Sequence, residues 1–225
     1  MPNPTDDSAD FDIDSAFKDL STPNISDALD RLGIKGHVNG ILPLWSGCPK
    51  IVGPAKTLKL STEGDYSTAI GTLEAIESGK RGDILVIDNG GRTHVNSFGG
   101  IASFSAQHLG FVGCIIDGAT RDVDEMSQLR FPVYARGKVV TSVRGRTAFV
   151  GHSLPVMIGD VRVDPGDIVF GDQNGVVIIP HARLNEVTRF AQSVNQREKE
   201  ICDDIARGIS PVQAHQKRRY DDWTR

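Results

Sequence analysis

Apolar positions in the middle of the chain come in uninterrupted runs. "GDILVID" (82–88) is a tight turn feeding one such run, and "FVGCIID" (111–117) is a second. A continuous apolar strand, as opposed to an alternating one, marks a strand covered on both faces. Between them "IASFSAQHLG" (101–110) has helical spacing, and "RDVDEMSQL" (121–129) predicts a further helix behind the second strand. Strand, helix, strand in this order implies a right-handed parallel crossover. Upstream, "STPNISDALDRLG" (21–33) offers Ser21 or Thr22 as a cap, Pro23 in the first turn, apolar Ile25, Ala28, Leu29 and Leu32, and a closing Gly33. That combination predicts a short helix. "KIVGPAKTLKL" (50–60) reads as a strand bent at Gly53-Pro54, and "YSTAIGTLEAIESG" (66–79) as a helix ending near Gly79. "NGGRTHVNSFGG" (89–100) reads as a glycine-rich loop, too long to be a plain connection.

From residue 132 the texture changes to short strands and turns: "PVYAR", "VVTSVRGRTAFVG", "LPVMI", "VRVDPGDIVFG" and "GVVIIP". They predict an irregular β-rich half packed on the α/β half. Pro165-Gly166 and Asn174-Gly175 are turn pairs, which makes Asp167 and Asp172 turn residues. "ARLNEVTRFAQSVNQREKEICDDIARG" (182–208) predicts a long, mostly exposed helix. Leu184, Val187, Phe190, Ala191, Val194 and Ile201 form its narrow apolar stripe, to be covered by its own subunit or a neighbour. Residues 1–12 are polar, acidic and proline-bearing, and read as a loose arm. There is no internal repeat.

Composition narrows the functional classes. At 225 residues and 39% hydrophobic content, the chain suits one large domain, or one domain with an appendage. The net charge of −4, from 25 basic and 29 acidic residues, gives no general attraction to nucleic acid or anionic lipid. No apolar run approaches the roughly 20 residues of a membrane helix, and the N-terminus has no basic region followed by an apolar one. The expectation is a soluble, unexported, cytoplasmic chain. Cys48, Cys114 and Cys202 form no C-x-x-C, so neither a disulfide framework nor a thiolate metal site is indicated, and Cys114 reads as core packing. The six histidines form no close ligand pair, and only His94, in the glycine-rich segment, is retained as a candidate substrate contact. No G-x-S-x-G elbow is present.

The candidate chemistry lies where the two apolar strands end. "NGGRTHVNSFGG" and "GATRD" both follow the carboxyl ends of neighbouring parallel strands, where open α/β sheets bind ligands. Gly99 and Gly100 leave backbone N–H groups at the start of the next helix open to an anion. Arg121 can grip a carboxylate or keto oxygen through its planar fork. Asp122 can hold a hard divalent cation, since Mg²⁺ often takes one or two protein carboxylates and fills its shell with water and substrate. The alternative is that Arg121 and Asp122 cap a helix and pair with surface neighbours.

"ISDALDRLG", "GDILVID", "FGGIASFSAQHLGFVGCIIDGATRDVDE", "PVYARG" and "VDPGDIVFGDQNGVVIIP", in this order and spacing, resemble the RraA-like family over roughly residues 20 to 182. That family includes class II 4-hydroxy-4-methyl-2-oxoglutarate/4-carboxy-4-hydroxy-2-oxoadipate aldolases and the regulator of ribonuclease E activity. The resemblance implies an α/β fold similar to swivelling β/β/α domains, a central β-structure flanked by helices. It divides the chain into residues 13–182 and a C-terminal helical extension, 183–225. It implies homotrimers or homohexamers with sites between subunits, while the charge balance and the lack of a long apolar run point to neither nucleic acid nor membrane as partner. By the same resemblance Asp122 binds Mg²⁺ or Mn²⁺, and Arg121 the pyruvyl oxygens of a 2-oxo acid. Backbone amides from Gly99 and Gly100 through Ile101, Ala102 and Ser103 hold the substrate carboxylate. Asp27 is the acid contributed by the neighbouring subunit. One departure matters: the aldolases usually carry an acidic residue where this chain has Gly100, and it helps to position the proton-carrying water. The leading expectation is a divalent-metal-dependent lyase forming a pyruvate enolate, by aldol cleavage or by decarboxylation of an oxaloacetate-like substrate. The alternatives are a non-catalytic regulator of a ribonuclease or other protein, and a related lyase on a different hydroxy-acid or sugar-acid.

Overall fold

The computed structural model describes residues 12–220, so the expected N-terminal arm lies outside the described residues except for Asp12. The chain opens with helices α1 (Ile13–Phe17) and α2 (Thr22–Arg31) and two short strands, β1 (His37–Val38) and β2 (Leu42–Pro43). Ser21 starts α2 in a capping box with Asn24, Pro23 lies in the first turn, and Gly33 leaves the helix at φ +63°. Next come β3 (Ile51–Ser61), α3 (Thr68–Glu77), β4 (Ile84–Asn96), α4 (Gly100–His108), β5 (Gly113–Thr120), α5 (Val123–Leu129) and β6 (Val133–Lys138). The irregular half supplies β7 (Ala148–His152), β8 (Val156–Ile158), β9 (Val161–Val163), β10 (Ile168–Asp172) and β11 (Gly175–Ile179). Helices α6 (Leu184–Ala206) and α7 (Pro211–Lys217) close the described chain.

The main sheet runs β1-β11-β10-β3-β4-β5-β6-β2, with β7 on the far part of β3. Strands β3 to β6 are mutually parallel, and the flanking pairs are antiparallel. Alternation sorts the apolar run of β4 between two cores. Ile84 and Val86 join Ile115, Tyr134, Val169 and Ile178 on one face, while Leu85 and Ile87 join Cys114, Ile116, Ala75, Ala106 and Met126 beneath α3, α4 and α5. The expected strands covered on both faces are therefore present, with Cys114 fully buried in β5.

Two expected elements differ. The segment 89–96 is not loop but the continuation of β4, whose register against β5 shifts after Asp88 and again after Arg92. Gly90 (φ +60°) and Gly91 (φ +72°) supply the bulge, so glycines that signal a loop in sequence here bend a strand. Conversely, within "VVTSVRGRTAFVG" strand begins only at Ala148. The preceding residues turn through Gly145 (φ +68°), and Thr141 O accepts the Asn96 N–H at 3.0 Å.

Buried charge anchors the β8–β9 hairpin over the first core. Asp117 pairs with Arg136 and accepts the Gly159 N–H at 2.8 Å. Its in-register neighbour Asp88 meets Lys59 at 3.4 Å and accepts the Met157 N–H at 3.3 Å. Asp172 and Asp167, expected as turn residues, flank the turns instead: Asp172 ends β10 and accepts Thr22 N–H and Asn174 N–H, while Asp167 lies just before β10 and accepts Asp164 N–H and His181 N–H.

A third core joins Phe17, Ile25, Ala28 and Leu29 to Phe170 and Ile179 of the sheet and to Leu184, Val187 and Ala191 of α6. The upper half of the α6 stripe is thus covered within the chain. Helix α7, foreseen only as part of a helical extension and not as a separate element, packs back on α6 through buried Asp204, whose carboxylate takes Arg207, Lys217 and Arg218. Hydrogen bonds from Arg207 and Lys217 hold the Asp204 carboxyl down at about 2. A depressed acid stabilises the folded state above its ordinary range and loses that contribution as pH falls through its folded pKa. The α6–α7 contact is therefore expected to loosen between pH about 4 and about 2, and amide exchange in α7 reads it.

Candidate functional site

The carboxyl ends of β4 and β5 are stitched together where the candidate residues lie. Ser97 Oγ donates to Ala119 O at 3.1 Å, and Thr120 Oγ1 to Phe98 O at 2.6 Å. Beyond this seam the chain enters α4 at Gly99–Gly100 and α5 at Arg121–Asp122. Asp122 is the N-cap of α5 and takes the left-handed conformation (φ 61°, ψ 36°), one that aspartate tolerates better than most residues. That turn aims its carboxylate away from its own helix and at the start of α4, where Oδ2 accepts the Gly100 N–H at 2.9 Å. Asp122 Oδ2 also comes 3.6 Å from Arg121 Nε. Both residues precede the helix proper, so the 100° separation of neighbours on a helix does not keep their charges apart.

Arg121 Nε is buried and has no hydrogen-bond partner among the described residues, an uncommon state for a guanidinium nitrogen. It lies on a cleft of about 190 Å³ shared with Gly99, Gly100, Ile101, Ala102 and Asp122. Ser103 is fully buried beneath them, its N–H and Oγ both bonded to Gly99 O. Two further residues of the cleft were not singled out from the sequence. Asn96 is 4% exposed with Oδ1 unpartnered among the described residues, and Arg144, from the turn before β7, stands in the wall with Ser142 and Val143. The basic "VRGR" stretch was the available hint for Arg144. His94 is exposed on β4 and does not line the cleft.

Asp27 lines a different concavity, of about 290 Å³, with His37, Asn39 and Asn174. Tyr220 Oη donates to Glu198 at 2.8 Å and stands 3.4 Å from the Asp27 carboxylate. Asn24 Nδ2 holds the other oxygen of Glu198 at 2.7 Å. Burial, and then the Glu198 charge, push the Asp27 carboxyl above its ordinary value.

A divalent cation fits the Arg121 cleft in one way. Among the described residues no group of three or more histidine, cysteine or acidic side chains converges to hold a metal, so Asp122 would be the protein anchor and water and ligand oxygens would complete the shell.

The RraA-like family model, described as Aldolase/RraA, matches residues 22–178. The chain belongs to the RraA-like family. It is 33% identical over 202 residues to Protein DlpA of Legionella pneumophila, covering 89% of this chain but only 33% of DlpA, so it spans about a third of that relative's length. It is 31% identical to a Halalkalibacterium halodurans protein named "Putative 4-hydroxy-4-methyl-2-oxoglutarate aldolase", over 88% of this chain and 92% of the other. The solved structure of Streptomyces coelicolor RraAS2, described as an unusual member of the RNase ES inhibitor RraA protein family, superposes with a TM-score of 0.74. That match covers 88% of this chain and 97% of RraAS2 at 24% identity, and shows the shared RraA fold. The mixed α/β architecture, a central sheet flanked by helices with a C-terminal helix, is that of the family. Among the described residues no helix is long and apolar enough to cross a membrane.

Proposed function

We propose that this RraA-like chain is a divalent-metal-dependent carbon–carbon lyase acting on 2-oxo acids. The observation that carries the reading is the buried, unpartnered Arg121 Nε beside Asp122 at the start of α4. The amides of Ile101 and Ala102, at the positive end of α4, receive the carboxylate of the 2-oxo acid. Arg121 grips the 2-oxo oxygen and steadies the negative charge that grows on it. Asp122 would hold Mg²⁺ or Mn²⁺, which supplies Lewis-acid stabilisation to the same charge. Arg144 in the cleft wall suits a second, distal carboxylate, which favours oxo diacids over monoacids.

Decarboxylation of oxaloacetate needs no base to start it, whereas aldol cleavage needs a proton acceptor. Coupled detection of pyruvate from oxaloacetate and from 4-hydroxy-4-methyl-2-oxoglutarate, with and without Mg²⁺, tests the reading. No metal-dependent product from either substrate would reject it. A non-catalytic regulator of a ribonuclease gives the buried Arg121 Nε, which lacks a hydrogen-bond partner among the described residues, no role, and predicts that Arg121 and Asp122 are dispensable.

The site is completed, in this reading, by a second subunit within a trimer or hexamer. Asp27 crosses the boundary and supports the proton carrier, in keeping with a carboxyl whose proton affinity is already raised. Asp27→Asn is then expected to lower kcat about 10²-fold while KM and metal affinity change less than about threefold. Steady-state kinetics beside a Mn²⁺ titration separates this from a solvated helix carboxylate, for which kcat would stay unchanged.

A further inference from the structure

The carboxylate of Glu125 occupies the space that a side chain at position 100 would fill. A Cβ on Gly100 would collide with Glu125 Oε2, and would lie 3.6 Å from Asp122 Cβ. Glu125 is the third residue of α5, where a glutamate commonly folds back onto its own helix start. It does not do so here, and it makes no hydrogen bond or ion pair among the described residues. Instead it leans across to the first turn of α4, so that Asp122 and Glu125 flank Gly100 from the same side. Glu125 is exposed, so its carboxylate meets solvent as well as the start of α4 and can pass a proton between a ligand seated there and water.

We propose, on the basis of the lyase reading, that Glu125 is the proton-transferring carboxylate for aldol cleavage, brought over Gly100 from α5. In that step the proton of the substrate's C4 hydroxyl passes to Glu125, directly or through one water. The C3–C4 bond breaks, C4 leaves as the carbonyl carbon of the second product, and the bond's electron pair becomes the pyruvate enolate. C3 then takes a proton from water and Glu125 releases its own to solvent, giving pyruvate with no net redox change. Gly100 and Glu125 form an interchangeable pair: one supplies room, the other the acid.

The test is Glu125→Gln, assayed on 4-hydroxy-4-methyl-2-oxoglutarate and on oxaloacetate, with Mn²⁺ affinity followed by calorimetry. The expected result is a loss of about 10²-fold in aldol kcat, decarboxylation within about twofold of wild type, and unchanged Mn²⁺ affinity. Gly100→Glu placed in the Glu125→Gly background should recover at least about tenfold of the lost aldol rate. Equal loss on both substrates, or no loss on the aldol substrate, overturns the role of Glu125 and leaves the lyase reading standing. So does a wild-type protein that decarboxylates oxaloacetate but cleaves no aldol. A wild-type protein inactive on both substrates removes the lyase reading, and this inference with it.

Discussion

Replacing Asp122 with asparagine is expected to lower metal-dependent pyruvate release from either substrate by about 10³-fold, about 4 kcal/mol of transition-state stabilisation. Asparagine is the informative choice because it removes the charge and little else. It tolerates the left-handed backbone of residue 122, and its side-chain oxygen can still accept the Gly100 N–H that Asp122 accepts at 2.9 Å. Alanine would add backbone strain and leave that amide without its acceptor. Kinetics against Mg²⁺ concentration, with thermal melting as the fold control, reads the outcome. Wild-type turnover in Asp122→Asn would show that the cation is held elsewhere, or that the reaction does without it.

The largest expected effect on stability belongs to Asp117, far from that chemistry. Its side chain is 5% exposed, pairs with Arg136, and accepts the Gly159 N–H at the tip of the β8–β9 hairpin. Asp117→Ala takes the carboxylate from a partly buried guanidinium, which keeps Asn39 O as an acceptor, and strands an amide, changes that together typically cost about 3 kcal/mol. For a chain of this length that corresponds to a fall in Tm of about 8 °C. Asp117→Asn keeps an acceptor for the amide and should lose about half as much. A loss below about 1 kcal/mol for alanine, measured by urea unfolding, would mean that the pair behaves like an exposed one.

The sequence carried the frame of the fold because its strongest signals are local. The apolar runs at 82–88 and 111–117 predict strands with two covered faces, and the cores on either side of β4 bear this out. The adjacency of Arg121 and Asp122, and the glycines at 99 and 100, also lie within single short stretches, so their convergence could be argued from strand order alone. What escaped depends on chain separation or on side-chain direction. Arg144 reaches the cleft only because the chain turns back after β6. Asp27 finds Glu198 and Tyr220 across nearly the whole described length. Gly90 and Gly91 mislead because a bulge inside a strand and a loop use the same residue for the same conformational reason. The direction of Glu125 is a choice between two neighbours that spacing does not encode.

The strand order also bears on how the protein is made. Strand β3 finds one partner, β4, soon after it is synthesised, with Ala55 beside Ile84, but β7 pairs with its far part only later, and β10 sets Val52 beside Phe170 more than a hundred residues on. During vectorial synthesis the parallel unit from β3 to β6 can assemble while one long edge of β3 still waits for its mate. An open edge of this kind is a template for the wrong strand, including one from a second nascent chain. Ribosome spacing on the message and chaperone capture of the half-made chain should therefore weigh more on the yield of this protein than the modest thermodynamic cost of its long connections.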